Sequence, residues 1–107
     1  MLQSFYHATS LEAAFKIKKE GLKPILDFVY LTDSLESAQR WMGFRFKAMG
    51  HDGFAIIEVK MDPAKLEEGF DHSPLMQTMF GAGASLIYDK RIPPSKIVNI
   101  HYYSFDE

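Results

Sequence analysis

Twice within its first forty residues the chain runs from a short aromatic β-type stretch directly into a helix start of nearly the same spelling. Phe5-Tyr6-His7-Ala8 leads into Thr9-Ser10-Leu11-Glu12, and Phe28-Val29-Tyr30-Leu31-Thr32 leads into Asp33-Ser34-Leu35-Glu36. In each start a short polar side chain can accept a first-turn amide while a glutamate three residues on reaches back, as in a capping box. Thr9 and Asp33 are the expected caps. Leu11, Ala14, Phe15 and Lys18 then fall on one helical face, with Lys18 able to snorkel from its end. Gly21 is expected to stop this helix in a left-handed conformation, with Leu22 folding back. Leu35, Ala38, Met42, Phe46 and Met49 recur at spacings of three and four, a second helical stripe that ends at Gly50.

The second half reads differently. Phe54–Met61 (FAIIEVKM) is an apolar run expected as a central strand, broken by Asp62-Pro63 and a short turn or helix through Glu68. Gly69–Gly83 has no periodicity; its methionines suit either a core-covering loop or a lid over a ligand. Ser85–Asp89 and Val98–Phe105 are expected strands, and Ile92-Pro93-Pro94-Ser95-Lys96-Ile97 between them is a stiff corner. The order β-α-β-α-β-loop-β-β predicts one small α+β domain over residues 1–107, with a partly antiparallel sheet. With 47% hydrophobic residues, nine Phe and five Tyr, a chain of 107 residues has material for a core. The absence of cysteine excludes a disulfide framework, a zinc finger and a thiol nucleophile. A net charge of −2 argues against a general electrostatic grip on nucleic acid or an anionic membrane. No apolar run approaches a membrane span, and the first residues lack the pattern of a secretory signal, so a soluble cytoplasmic protein is expected.

Taken singly, the polar and aromatic residues of the first strands have ordinary roles: His7 and Tyr30 as strand residues, Thr9 and Ser10 as caps. Together, Phe5-Tyr6-His7-Ala8-Thr9-Ser10, the helix ending Glu20-Gly21-Leu22 and the string Val29-Tyr30-Leu31-Thr32-Asp33-Ser34 resemble the ADP-ribosyltransferase fold. Leu86-Ile87-Tyr88, Ile92-Pro93-Pro94 and Lys96-Ile97 are similar to that family's closing strands, so the resemblance covers nearly the whole chain. It implies a split sheet with two main helices around a cleft for NAD, the substrate from which ADP-ribose is transferred without a metal. His7 matches the histidine that hydrogen-bonds the adenosine-side ribose, and Thr9 the neighbouring hydroxyl position. Tyr30 matches the aromatic that stacks on nicotinamide, Thr32 belongs to the same strand motif, and the main chain of Ala8 matches the holder of the carboxamide. His7 and Tyr30 are accordingly expected on neighbouring strands with side chains facing one cleft.

The chain departs from that pattern at one position. Active members carry a glutamate at the start of the strand leading to the Ile-Pro-Pro corner, where this sequence has Ala84 and Ser85. Ser85 can hydrogen-bond a ribose hydroxyl but cannot stabilise the positive charge that develops as the nicotinamide–ribose bond breaks. Asp89 lies four residues on, and Glu58 faces either a cleft or solvent. Two main readings therefore stand: a transferase with weakened or atypical catalysis and an unknown acceptor, or a silent module binding a nucleotide or a protein. A third, RNA 2′-phosphotransferase chemistry, needs arginines at positions that Arg40, Arg45 and Arg91 do not match. Lys16, Lys18, Lys19, Lys23, Arg40, Arg45 and Lys47 either border an acidic ligand or form solvated helix faces. His7, His51, His72 and His101 show no metal-binding spacing.

Overall fold

Residues 1–24, 28–68 and 85–105 are described by the computed structural model. Their elements, in chain order, are β1 (Gln3–Thr9), α1 (Leu11–Glu20), β2 (Val29–Thr32), α2 (Leu35–Ala48), β3 (Gly53–Met61), β4 (Glu67–Glu68), β5 (Ser85–Tyr88) and β6 (Ile97–Ser104). Single 3₁₀ turns lie at Pro63–Lys65 and Pro94–Lys96. The strands form one sheet in the order β4-β5-β2-β1-β3-β6, and every pairing is antiparallel, where the sequence suggested a partly antiparallel sheet. The segment 69–83, together with Asp27 and Ala84, lies outside the described residues, and with it the question of a lid.

β3 is the central strand its apolar run implied. It pairs along its length with β1 (Gln3↔Met61 to Thr9↔Ala55) and with β6 (Gly53↔Ser104 to Val59↔Ile97). Alternation sends Ala55, Ile57, Val59 and Met61 to one face, where they pack with Phe5, Ala14, Leu22, Val29, Leu31 and Ile92 beneath α1. Phe54 and Ile56 point to the other face and pack with Ala38 and Phe46 of α2. Phe54 is the hub there: its ring stacks on Phe46 (5.6 Å), Tyr103 (4.8 Å) and Phe105 (5.7 Å). No helix among the described residues is long and apolar enough to cross a membrane.

Both helices start one residue later than their spelling suggested. Ser10, not Thr9, caps α1 by accepting the Ala13 amide (3.1 Å), and Ser34, not Asp33, caps α2 by accepting the Ser37 amide (3.1 Å). Thr9 is claimed by the sheet, opposite Ala55, so its backbone stays extended and the cap passes to the next hydroxyl. The inward stripe of α1 is Leu11, Ala14 and Ile17, leaving Phe15 68% exposed; Met49, past the end of α2, is exposed as well. Gly21 does take a positive φ (81°), but with ψ at −178° it extends the chain instead of curling it back. Its amide closes on the Ile17 carbonyl, and Leu22 then forms a two-bond bridge with Ile92, both bonds 2.8 Å. The prolyl corner is thereby tied to the end of α1.

Candidate functional site: the joint between the first two strands

β1 is fully laddered to β3 on one side, yet on the other it meets β2 in register at a single pair, Tyr6↔Thr32. One step beyond that pair the His7 imidazole intervenes: its Nδ1 lies 2.8 Å from the Tyr30 carbonyl oxygen. A carbonyl only accepts, so Nδ1 carries the proton and donates, and Nε2 is left with its lone pair. Burial lowers the His7 pKa from its ordinary 6.5, with the Tyr30 hydrogen bond a smaller opposing effect. At neutral pH the ring is therefore uncharged, a fixed tautomer whose Nε2 can accept a hydrogen bond from a hydroxyl.

Tyr30 offers the complementary feature. The residue is 47% exposed, and its ring is braced edge-on by Phe28 at 6.4 Å. The two residues thus sit on adjacent strands, as expected, but their side chains leave the sheet on opposite faces and not into one cleft, which counts against the resemblance. Counting from Tyr6↔Thr32, Tyr30 stands with Tyr6 and Ala8 on the α2 face, whereas His7 leaves β1 on the face of Phe5 and Leu31. Because the strands are registered at one pair only, the imidazole can turn sideways into the joint and meet β2 through its main chain.

The other expected residues fall around this joint with different duties. Thr32 is buried, and its Oγ1 accepts the Ser34 amide at 3.4 Å, shaping the turn into α2. Thr9, released from capping, is half-buried at the end of β1, next to Ala8. Ser85 opens β5 directly opposite Thr32, so the position lacking the glutamate is one strand away from the joint. Asp89 lies beyond the end of β5 and is exposed. Among the basic residues, Lys23 pairs with Glu20 (3.0 Å) and Arg40 with Glu36 (2.7 Å) on solvated helix faces. Such pairs contribute little to stability.

Glu58 is part-buried and held by two side chains. It stands opposite Tyr6 on the α2 face, where Oε2 accepts the Ser4 hydroxyl (2.8 Å) and Oε1 lies 2.9 Å from His101 Nε2. The His101 hydrogen bond holds its carboxyl below the usual range, helped by Ser4 and opposed by burial. Tyr6 completes the group: burial and the Glu58 charge raise its phenol pKa, with Ser4 a smaller opposing influence. Ser4 and His101 were not singled out from the sequence. The signal was present in alternation, since pairing β1, β3 and β6 puts Ser4, Tyr6, Glu58 and His101 on one face, but it needs the strand order to be read. Among the described residues no group of three or more His, Cys, Asp or Glu side chains is placed to hold a metal ion. No protein-family model matches this chain, and no curated protein matches it in sequence.

Proposed function

We propose that the joint between β1 and β2 is part of a nucleotide site of the ADP-ribosyltransferase kind, which takes NAD. The observation that supports this reading is the 2.8 Å bond from the His7 imidazole to the Tyr30 carbonyl, which ties the two strands of the resemblance together, while the opposite faces of the two rings weigh against a single cleft. The neutral His7 ring, bonded through Nδ1, suits a ribose hydroxyl at Nε2; the exposed Tyr30 ring suits stacking on a planar ring, but on the other face of the sheet. Ala8 lies one residue past His7 on β1, at the position whose main chain the resemblance gives to the carboxamide, with Thr9 beside it. Ser85, opposite Thr32, stands at the position where the resemblance expects the glutamate.

A specific observation favours binding over turnover. Glu58, a carboxylate considered as a substitute for the absent glutamate, lies three strands from Ser85 and is already engaged by Ser4 and His101. A single charge-stabilising group is worth about 10²–10³ in rate, so NAD cleavage is expected to be slow. The test is calorimetric titration of the folded chain with NAD and with ADP-ribose, beside nicotinamide release by the wild type, His7→Ala and Ser85→Glu. The reading expects binding that His7→Ala weakens and a gain of release in Ser85→Glu. Absence of binding by either ligand at millimolar concentration removes it.

A further inference from the structure

Two 3₁₀ turns of the same spelling border one cavity. Pro63-Ala64-Lys65 and Pro94-Ser95-Lys96 each begin on a proline and end on a lysine, and in each the amide of the following residue closes on the proline carbonyl. Proline fixes φ, so both lysines leave stiff backbone. The second turn is anchored further, because Arg91 Nε donates to the Glu20 carbonyl at 2.8 Å and Ile92 is bridged to Leu22. Lys65 and Lys96, with Lys60 of β3, line a cavity of about 80 Å³. Its lining also includes Met61 and Ile92, both buried in the core, and Tyr88, which packs against that core. No residue of the β1–β2 joint takes part in it.

The formal charge of the lining is opposite in sign to that of the chain. Three lysines against one carboxylate, Asp62, leave two positive charges, where the whole chain carries −2. Asp62 is already occupied: its Oδ1 accepts the Ala64 amide at 3.0 Å. Among the described residues none of the three lysines is hydrogen-bonded to a carboxylate, in contrast to Lys23 and Arg40, and Lys60 acts on Glu58 only through space. Like charges gathered at one cavity repel until an anion joins them. We propose that this cavity binds a phosphate monoester, its phosphoryl group among Lys60, Lys65 and Lys96 and its carbon side against Tyr88. A phosphoryl dianion matches the two residual charges, and lysine serves such a group as a point charge. The volume suits one such group, being well below the roughly 300 Å³ at which pockets begin to enclose whole ligands. The remainder of the ester therefore extends out of the cavity. This site is separate from the nucleotide reading of the β1–β2 joint and does not rest on it.

The test is calorimetric titration of the full chain, at neutral pH and fixed ionic strength, with phenyl phosphate, inorganic phosphate and acetate. Phenyl phosphate is expected to bind more tightly than inorganic phosphate, and acetate, with a single charge, about tenfold or more weaker than either. Lys65→Gln/Lys96→Gln is expected to weaken phenyl phosphate about tenfold or more, whereas Lys65→Arg/Lys96→Arg keeps the charges and the binding. Both lysines are exposed, and far-UV circular dichroism confirms that the variants are folded. His7→Ala is expected to leave phenyl phosphate binding unchanged. The proposal is overturned if neither phosphate binds at millimolar concentration, or if the glutamine variant binds like wild type. Acetate binding as tightly as phosphate, or phenyl phosphate binding no more tightly than inorganic phosphate, also overturns it. So does loss of phenyl phosphate binding in His7→Ala, which would place the anion at the joint instead.

Discussion

Gly21 and Gly50 both have positive φ, 81° and 84°, but their surroundings differ, which makes them a matched pair for measuring how firmly the prolyl corner is held. A β-carbon at Gly50 would meet no atom within 4 Å. Gly50→Ala therefore costs only the conformational strain of a positive φ, about 1 kcal/mol. At Gly21 the pair φ 81°, ψ −178° lies in a region that only glycine occupies readily, a strain of about 1–3 kcal/mol. A β-carbon there would also collide with the Ile92 carbonyl oxygen and stand 3.1 Å from Pro93 Cα. That carbonyl is the acceptor of the Leu22 amide, so making room pulls apart the Leu22–Ile92 bridge, two bonds each worth roughly 1 kcal/mol. Restricting the unfolded chain returns about 0.4–1 kcal/mol in both variants. The net expectation is a loss of about 3 kcal/mol for Gly21→Ala and well under half of that for Gly50→Ala. Urea unfolding at neutral pH measures both. Equal losses in the two variants would refute the argument, because the corner would then have yielded without cost.

Stability should fall with pH in a window set by His7. The unfolded imidazole takes a proton as pH drops through 6.5, while burial keeps the native ring neutral to a lower pH, so stability declines by up to about 1.4 kcal/mol per pH unit until the native ring also protonates. Urea midpoints at pH 7.5 and 5.5 are expected to differ less in His7→Gln than in wild type, and an identical difference would show that His7 is not the group responsible. Phe54→Ala removes the ring stacked on Phe46, Tyr103 and Phe105 and is expected to cost about 3–5 kcal/mol by thermal or urea unfolding. A loss below 1 kcal/mol would mean that this cluster refills the space.

The elements themselves were legible in the sequence, because helix and strand periods are local properties of a few neighbouring residues. The stripe Leu35, Ala38, Met42, Phe46 and the apolar run of β3 predicted a helix and a central strand, and both are there. Contacts distant in sequence decided the remainder. Thr9 spells a cap as well as Ser10 does, and only its pairing with Ala55 across the sheet moves the helix start. Phe15 fits the helical period, yet the packing of Leu11, Ala14 and Ile17 beneath the sheet leaves it outside. Glu58 reads from the sequence as facing a cleft or solvent; strand order places Ser4 and His101 on either side of it, more than forty residues away in each direction. His7 and Tyr30 were recognisable as a pair. Their meeting through imidazole and main chain, and not across one cleft wall, follows from a β1–β2 ladder registered at a single pair, which the identity of neither residue encodes. Residue type and spacing determine which segments are helix and strand, whereas the partner of each polar side chain depends on which strands lie side by side, and that is settled only when the whole sheet closes.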